Sequence, residues 1–224
     1  MLFVGCATGP GSVGAPAAIR EETFSCEGTG PAIGASFFWP ARGTVSLPTA
    51  VVAVGAQRWN RYGDLPDRPW GHYRDIANAL AARGVAVVLF DKGGTGVTGG
   101  PPSSFDVRVD EVLQVVACAR ARPEVGPISY VGHSQGAAVM VVAAARERPA
   151  ALVLLSPSAG TGAGPPGLPV TVIQPAGEAT PALHPTLIAG VNHLLIPEPA
   201  VAGTSHVSSE ALARIGDAVL GGPP

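Results

Sequence analysis

The chain reads as an α/β domain built on a mostly parallel sheet with flanking helices and opened by an antiparallel hairpin. Three observations predict it. Unbroken apolar runs such as "TAVVAVGA" (49–56) and "VAVVLFD" (85–91) mark strands buried on both faces. Stretches of helical period alternate with these runs, which implies a parallel sheet covered on both sides. The 224 residues are 46% hydrophobic and only 13% charged, enough apolar surface for one sizeable core.

Residues 1–19 are expected to form a flexible leader and residues 20–224 a single domain. The leader, "MLFVGCATGPGSVGAPAA", resembles the tail of a bacterial lipoprotein signal, with Gly5-Cys6 at the processing site. Phe3 departs from that pattern, and no basic region or full apolar segment precedes Cys6. The reading therefore requires a start upstream of Met1. Lipidated Cys6 would tether the protein in the cell envelope; without such a signal the expectation is cytoplasmic.

"EETFSCEGTG" (21–30) and "AIGASFFWPA" (32–41) follow as two strands joined by a glycine-containing turn. After the strand at 49–56, "HYRDIANALAARG" (72–84) has helical spacing at Ile76, Leu80 and Ala81, with Gly84 as its C-cap. Beyond strand 85–91 and a glycine-dense loop, residues 106–122 place Val109, Val112, Leu113 and Val116 on one helical face. Then come strand "ISYVG", a helix over 135–148, strands "ALVLLS", "PVTVIQ" and "PTLIAG", and a last helix near 209–220. The connections around "PVTVIQ" are too short for full-length helices.

Composition narrows the function classes. The net charge is −2, the 14 Lys and Arg residues are scattered and aromatics are 5%, so no nucleic-acid surface is expected. Three cysteines without a CxxC pair suggest neither a disulfide framework nor zinc. Cys118 reads as a small helix residue, while Cys26 is either paired or free. No apolar run is long enough to cross a bilayer. The loop "DKGGTGVTGG" lacks the GxxxxGK[ST] spacing of a phosphate-cradling loop.

Chemistry enters at "GHSQG" (132–136), a serine between two glycines, with a strand before it and a helix after it. A strand-to-helix turn that tight strains the serine backbone and demands neighbours without bulk. Gly132 and Gly136 meet that demand, and the helix N-terminus beneath Ser134 favours developing negative charge.

This strand–GxSxG–helix unit is the nucleophile elbow of the α/β-hydrolase fold. From Thr49 onward the chain resembles the α/β-hydrolase superfamily, in its serine esterase, thioesterase and prolyl-oligopeptidase-like branch. The matching segments are "AVVAVGA", "HYRDIANALAARGVAVVLFDKGGTG", "VGHSQGAAV", "VTVIQPAGE" and "AGVNHLL". The resemblance implies an α/β-hydrolase sheet, and the short connection between "ALVLLS" and "PVTVIQ" implies no lid domain. Three departures stand out: Gly93 where arginine is usual, Val54 where histidine precedes the glycine, and a glutamate in place of the aspartate at 178.

A serine needs a histidine base oriented by a carboxylate, and in this fold both follow it in the chain. His184, His193 and His206 qualify. His193, just beyond a strand end, matches the position of the family's histidine; His206 is second, and His184 reads as a loop residue. His133 is expected to pack beside the serine. Only Glu147 and Glu178 are acidic between Ser134 and His193. Glu147 reads as a solvated helix end, and Glu178 stands where the family carries its acid.

The backbone N–H groups of Gln135 and Ala56 are the expected oxyanion donors. Trp59, Tyr62 and Trp70 read equally as pocket walls or as packing of a long loop, and Asp91 as structural. The implied activity is serine-dependent hydrolysis of small or polymeric carboxylic esters, with no metal or organic cofactor. Thioesterase, peptidase and a non-catalytic binding protein of the same fold remain alternatives.

Overall fold

The structure is a computed structural model that describes residues 18–28, 30–41, 46–178 and 183–222. Nearly all of the expected leader, Cys6 included, lies outside the described residues. Its last residue, Ile19, already belongs to the first strand.

Eight strands form one sheet in the order β1-β2-β6-β3-β7-β8-β9-β10. The hairpin β1 (Ile19–Cys26) and β2 (Ile33–Pro40) is antiparallel and joins β6 (Ala86–Phe90) antiparallel. From β6 through β3 (Leu47–Ala53), β7 (Val125–His133), β8 (Leu152–Leu155), β9 (Val170–Pro175) and β10 (Thr186–Ile188) all pairings are parallel. The two-residue strands β4 (Asp64–Leu65) and β5 (Arg68–Pro69) make a separate small hairpin.

Successive residues of the central strands enter opposite cores, which is why those strands are apolar throughout rather than alternating. Val52, Val87, Val131 and Val153 pack with α1 (His72–Ala82) and α4 (Ser209–Val219). Val51, Val88, Tyr130 and Leu154 pack with α2 (Phe105–Arg120) and α3 (Gln135–Arg146) on the other side. Ser104 and Ser208 cap α2 and α4 by accepting from the N–H groups of Val107 and Ala211. α1 ends at a cap on Arg83, one residue before the expected Gly84, which follows at φ 86°.

Residues 156–169, between β8 and β9, form turns and contain no helix, so no lid domain rises there. Between β9 and β10 the described residues hold one turn of 3₁₀ helix, Ala176–Glu178. The carboxyl ends of the central strands are thereby left open, where open α/β sheets place their binding crevice.

Candidate active site

β7 ends at His133 and α3 begins at Gln135, leaving Ser134 alone to turn the chain. It does so at φ 54°, ψ −122°, a backbone that non-glycine residues adopt at a cost of about 1–3 kcal/mol. The turn is held by the Ser134 N–H, which donates to the Leu155 carbonyl at 2.9 Å. The Ser134 side chain does not cap α3, and the residue is half-buried. The flanking glycines are required by contact. A Cβ on Gly132 would lie 2.6 Å from the Ala137 Cα, and one on Gly136 would lie 2.6 Å from the Val54 carbonyl oxygen.

His193 and Glu178 come together across the turns that follow β9 and β10. Glu178 Oε2 lies 2.6 Å from His193 Nδ1, and both side chains are 43% exposed. A carboxylate can only accept, so Nδ1 carries the proton and Nε2 is left as the free base. Gln174 fixes the acid's turn by donating to the Glu178 carbonyl at 2.7 Å. Asn192 frames the histidine by accepting from the N–H groups of Leu194 and Ile196. The His193 ring stands 5.1 Å from that of His133, the neighbour of Ser134.

The other candidates sit elsewhere. His206 is a surface residue, 76% exposed, with Nδ1 3.2 Å from Asp75. His184 is exposed ahead of β10, and Glu147 pairs with Arg120 at the end of α3.

A Cβ on Gly55 would lie 3.4 Å from that of Ser134, so the segment leaving β3 runs directly beside the serine. Ala56 in that segment is exposed. Neither its N–H nor that of Gln135 finds an acceptor among the described residues. The Gly55 N–H donates to Tyr73 Oη at 2.9 Å, and Tyr73 Oη lies 2.8 Å from His133 Nδ1. Having accepted from Gly55, the hydroxyl donates to Nδ1. That tautomer leaves His133 Nε2–H to donate to the His193 carbonyl at 2.9 Å. Burial pulls His133 down to about 4 and His72 well below its ordinary value, so both stay neutral at pH 7.

Two buried basic side chains hold the same segment, and burial pushes Lys92 down to about 7. Arg108 donates to the Val54 carbonyl and to Gln135 Oε1, each at 2.5 Å. Lys92 donates to the carbonyls of Gly55 and Gln57. Sequence reasoning missed Tyr73, Lys92 and Arg108. Tyr73 and Arg108 lie inside helical patterns, and only the position of Lys92, just past a strand end, carried a signal.

The aromatic candidates resolve as packing, Trp70 half-buried against the core on the α1 and α4 side. Trp59 is buried edge-on against the His72 ring at 5.1 Å. Tyr62 reaches Ser36 and Glu21 of the hairpin, each at 2.8 Å. Asp91 is structural: it accepts from the Arg61 backbone and guanidinium and from the Val97 N–H. Cys26 and Cys118 are free. Among the described residues no group of three or more His, Cys, Asp or Glu stands together as metal ligands.

Residues 69–210 match the model of the Hydrolase_4 family, described as serine aminopeptidase, S33. The uncharacterized protein Rv2307c of Mycobacterium tuberculosis is 39% identical over 84 residues, covering 37% of this chain and 30% of that protein. The chain thus matches less than a third of that relative's length. XC6422 from Xanthomonas campestris, an α/β serine hydrolase without a lid, superposes with a TM-score of 0.65 at 19% identity over 90% of this chain and 93% of its own. Est1E from Butyrivibrio proteoclasticus with bound ferulic acid gives 0.66 at 20% identity over 88% and 96%. At such identities the likeness establishes the fold.

Proposed function

From the premise that the chain belongs to the serine aminopeptidase S33 family of α/β hydrolases, we propose that it cleaves carboxylic esters through an acyl-enzyme on Ser134. The observation that carries this reading is the strained Ser134 elbow, with the His193–Glu178 pair beside its neighbour and two free N–H groups around it.

In this mechanism His193 Nε2 takes the proton of Ser134 Oγ as that oxygen attacks the ester carbonyl. The oxyanion accepts from the N–H groups of Ala56 and Gln135. The tetrahedral intermediate collapses, the ester C–O bond breaks, and His193 passes its proton to the departing alcohol. Water, deprotonated by His193, then attacks the acyl-enzyme, and Ser134 recovers its proton as the acid leaves. Glu178 holds the His193 tautomer that makes both transfers possible. An ester substrate is favoured over a peptide because solved neighbours of this fold include the esterase Est22, and Est1E with bound ferulic acid.

The test is labelling of the purified protein with a fluorophosphonate, with mass-spectrometric mapping of the modified residue. Stoichiometric modification at Ser134 is expected, absent in Ser134→Ala and slowed at least about 100-fold in His193→Ala. Folded protein that takes up no label overturns the reading and leaves a binding protein of this fold.

A further inference from the structure

The proposed oxyanion donors come from two segments that the sheet does not join. Pairing of β3 with β7 ends at Ala53 opposite Gly132, so Val54–Gln57 and His133–Gln135 leave the ladder side by side. Arg108 bridges them, and Lys92 holds the first from the loop after β6. Arg108 of α2 donates through Nη2 to the Val54 carbonyl and through Nη1 to the Gln135 side chain. Lys92, two residues beyond β6, donates to the carbonyls on both sides of Ala56.

A peptide unit is planar and trans, so its carbonyl and its N–H point in opposite directions. The amide of Val54–Gly55 is fixed at both ends, its carbonyl by Arg108 and its N–H by Tyr73. The next amide, Gly55–Ala56, is fixed only at its carbonyl, by the Lys92 ammonium. That contact aims the Ala56 N–H the other way and polarises it as a donor.

The arrangement is costly in itself. Lys92 and Arg108 are 6% and 5% exposed, and neither has a carboxylate within salt-bridge distance among the described residues. Burial without a direct partner is costly for such charges, and it pushes Lys92 down to about 7, so the ammonium is only partly populated at neutral pH. Glu111, the nearby carboxylate, instead accepts from the Gly93 N–H at 2.9 Å and from Ser103 Oγ at 2.5 Å.

We propose that Lys92 and Arg108 are positioning residues that hold the Val54–Gln57 segment against the elbow and aim the Ala56 N–H at the developing oxyanion. This rests on the acyl-enzyme reading above. Neither residue touches the substrate; both act through backbone amides.

The test measures kcat and KM on p-nitrophenyl acetate and the inhibition constant of an alkyl boronic acid, which binds serine hydrolases as a tetrahedral oxyanion mimic. Removal of an oxyanion donor elsewhere costs about 10²–10³ in kcat. Lys92→Met is therefore expected to lose about 100-fold in kcat, keep KM within about threefold, and weaken the boronate by a similar factor. Arg108→Met is expected to behave alike, and Arg108→Lys to recover part of the loss. Arg108→Lys also makes the same comparison if Arg108→Met does not fold. A general structural defect would instead lower the folded fraction without pairing boronate affinity to kcat. If Ser134→Ala abolishes activity while folded Lys92→Met and Arg108 variants keep kcat within threefold of the parent, the positioning role is overturned alone. If Ser134→Ala turns over like the parent, the acyl-enzyme reading falls and this inference falls with it.

Discussion

His133 shows how much of this site is decided by single side chains. It is fully enclosed at 3% exposure, bonded on one nitrogen to Tyr73 and on the other to the His193 carbonyl. Burial lowers its folded pKa from 6.5 to about 4, so protons favour the unfolded chain. The resulting stability is fully present above pH 6.5 and is lost as pH falls toward 4. The full shift corresponds to about 3 kcal/mol. His72, shifted in the same direction by burial, adds to the loss. Urea midpoints measured from pH 7.5 down to 4.5 should therefore fall steeply, and His133→Gln should flatten that slope at some cost at neutral pH. An unchanged slope would show that His133 is not the titrating group. Glu178 sits at the opposite extreme, 43% exposed, and in the proposed mechanism it acts through geometry rather than burial. Glu178→Gln keeps the shape but removes the charge and permits the wrong His193 tautomer. Its expected effect is a drop in kcat on the order of 10²–10⁴ with KM little changed, read on the same ester.

The elbow is the element on which the site depends, and its sequence is legible because its constraints are local. Gly132, Ser134 and Gly136 are spaced by the turn itself, and the apolar strand before them is recognisable because both of its faces are buried. Gly136→Ala is the direct check. Its new Cβ would press on the backbone carbonyls of Ala53 and Val54, which flexible side chains cannot relieve. A loss of about 1–3 kcal/mol in a urea titration is expected, together with slower fluorophosphonate labelling as Val54 is pushed from the elbow. β3, β6, β7, β8 and β9 are readable for the same reason as the elbow strand, whereas β4, β5 and the Glu178 turn are too short to show a period. Tyr73, Arg108 and the partners of Lys92 are illegible for another reason. Their bonds join residues 18 to 60 positions apart, between loops whose meeting depends on the finished sheet. The Arg61–Asp91 pair, which ties the loop after β3 to the loop after β6, is hidden in the same way.

The assembled chain brings the elbow, the His193–Glu178 pair and the proposed oxyanion segment to one open edge of the sheet and covers them with little. Residues 156–169 make only turns where a lid would have to rise, and the imidazole and carboxylate are each nearly half exposed. A cleft of about 1250 Å³ lies among the hairpin turn, the glycine-dense loop and α2, and none of Ser134, Glu178, His193, Ala56 or Gln135 lines it. An acyl chain attached to Ser134 therefore meets few apolar walls beyond its first carbons. A buried methylene is worth about 0.8 kcal/mol, or roughly a fourfold gain in kcat/KM for each added carbon. In an open site that gain is absent. Across p-nitrophenyl acetate, butyrate, octanoate and laurate, kcat/KM should stay level or fall after butyrate, with no jump in rate when the longer esters pass their solubility limit. A steady rise of about fourfold per carbon would instead require a closed acyl channel and would overturn the open-site account. Level values paired with Ser134 labelling would assign the specificity to parts of the substrate other than the acyl chain.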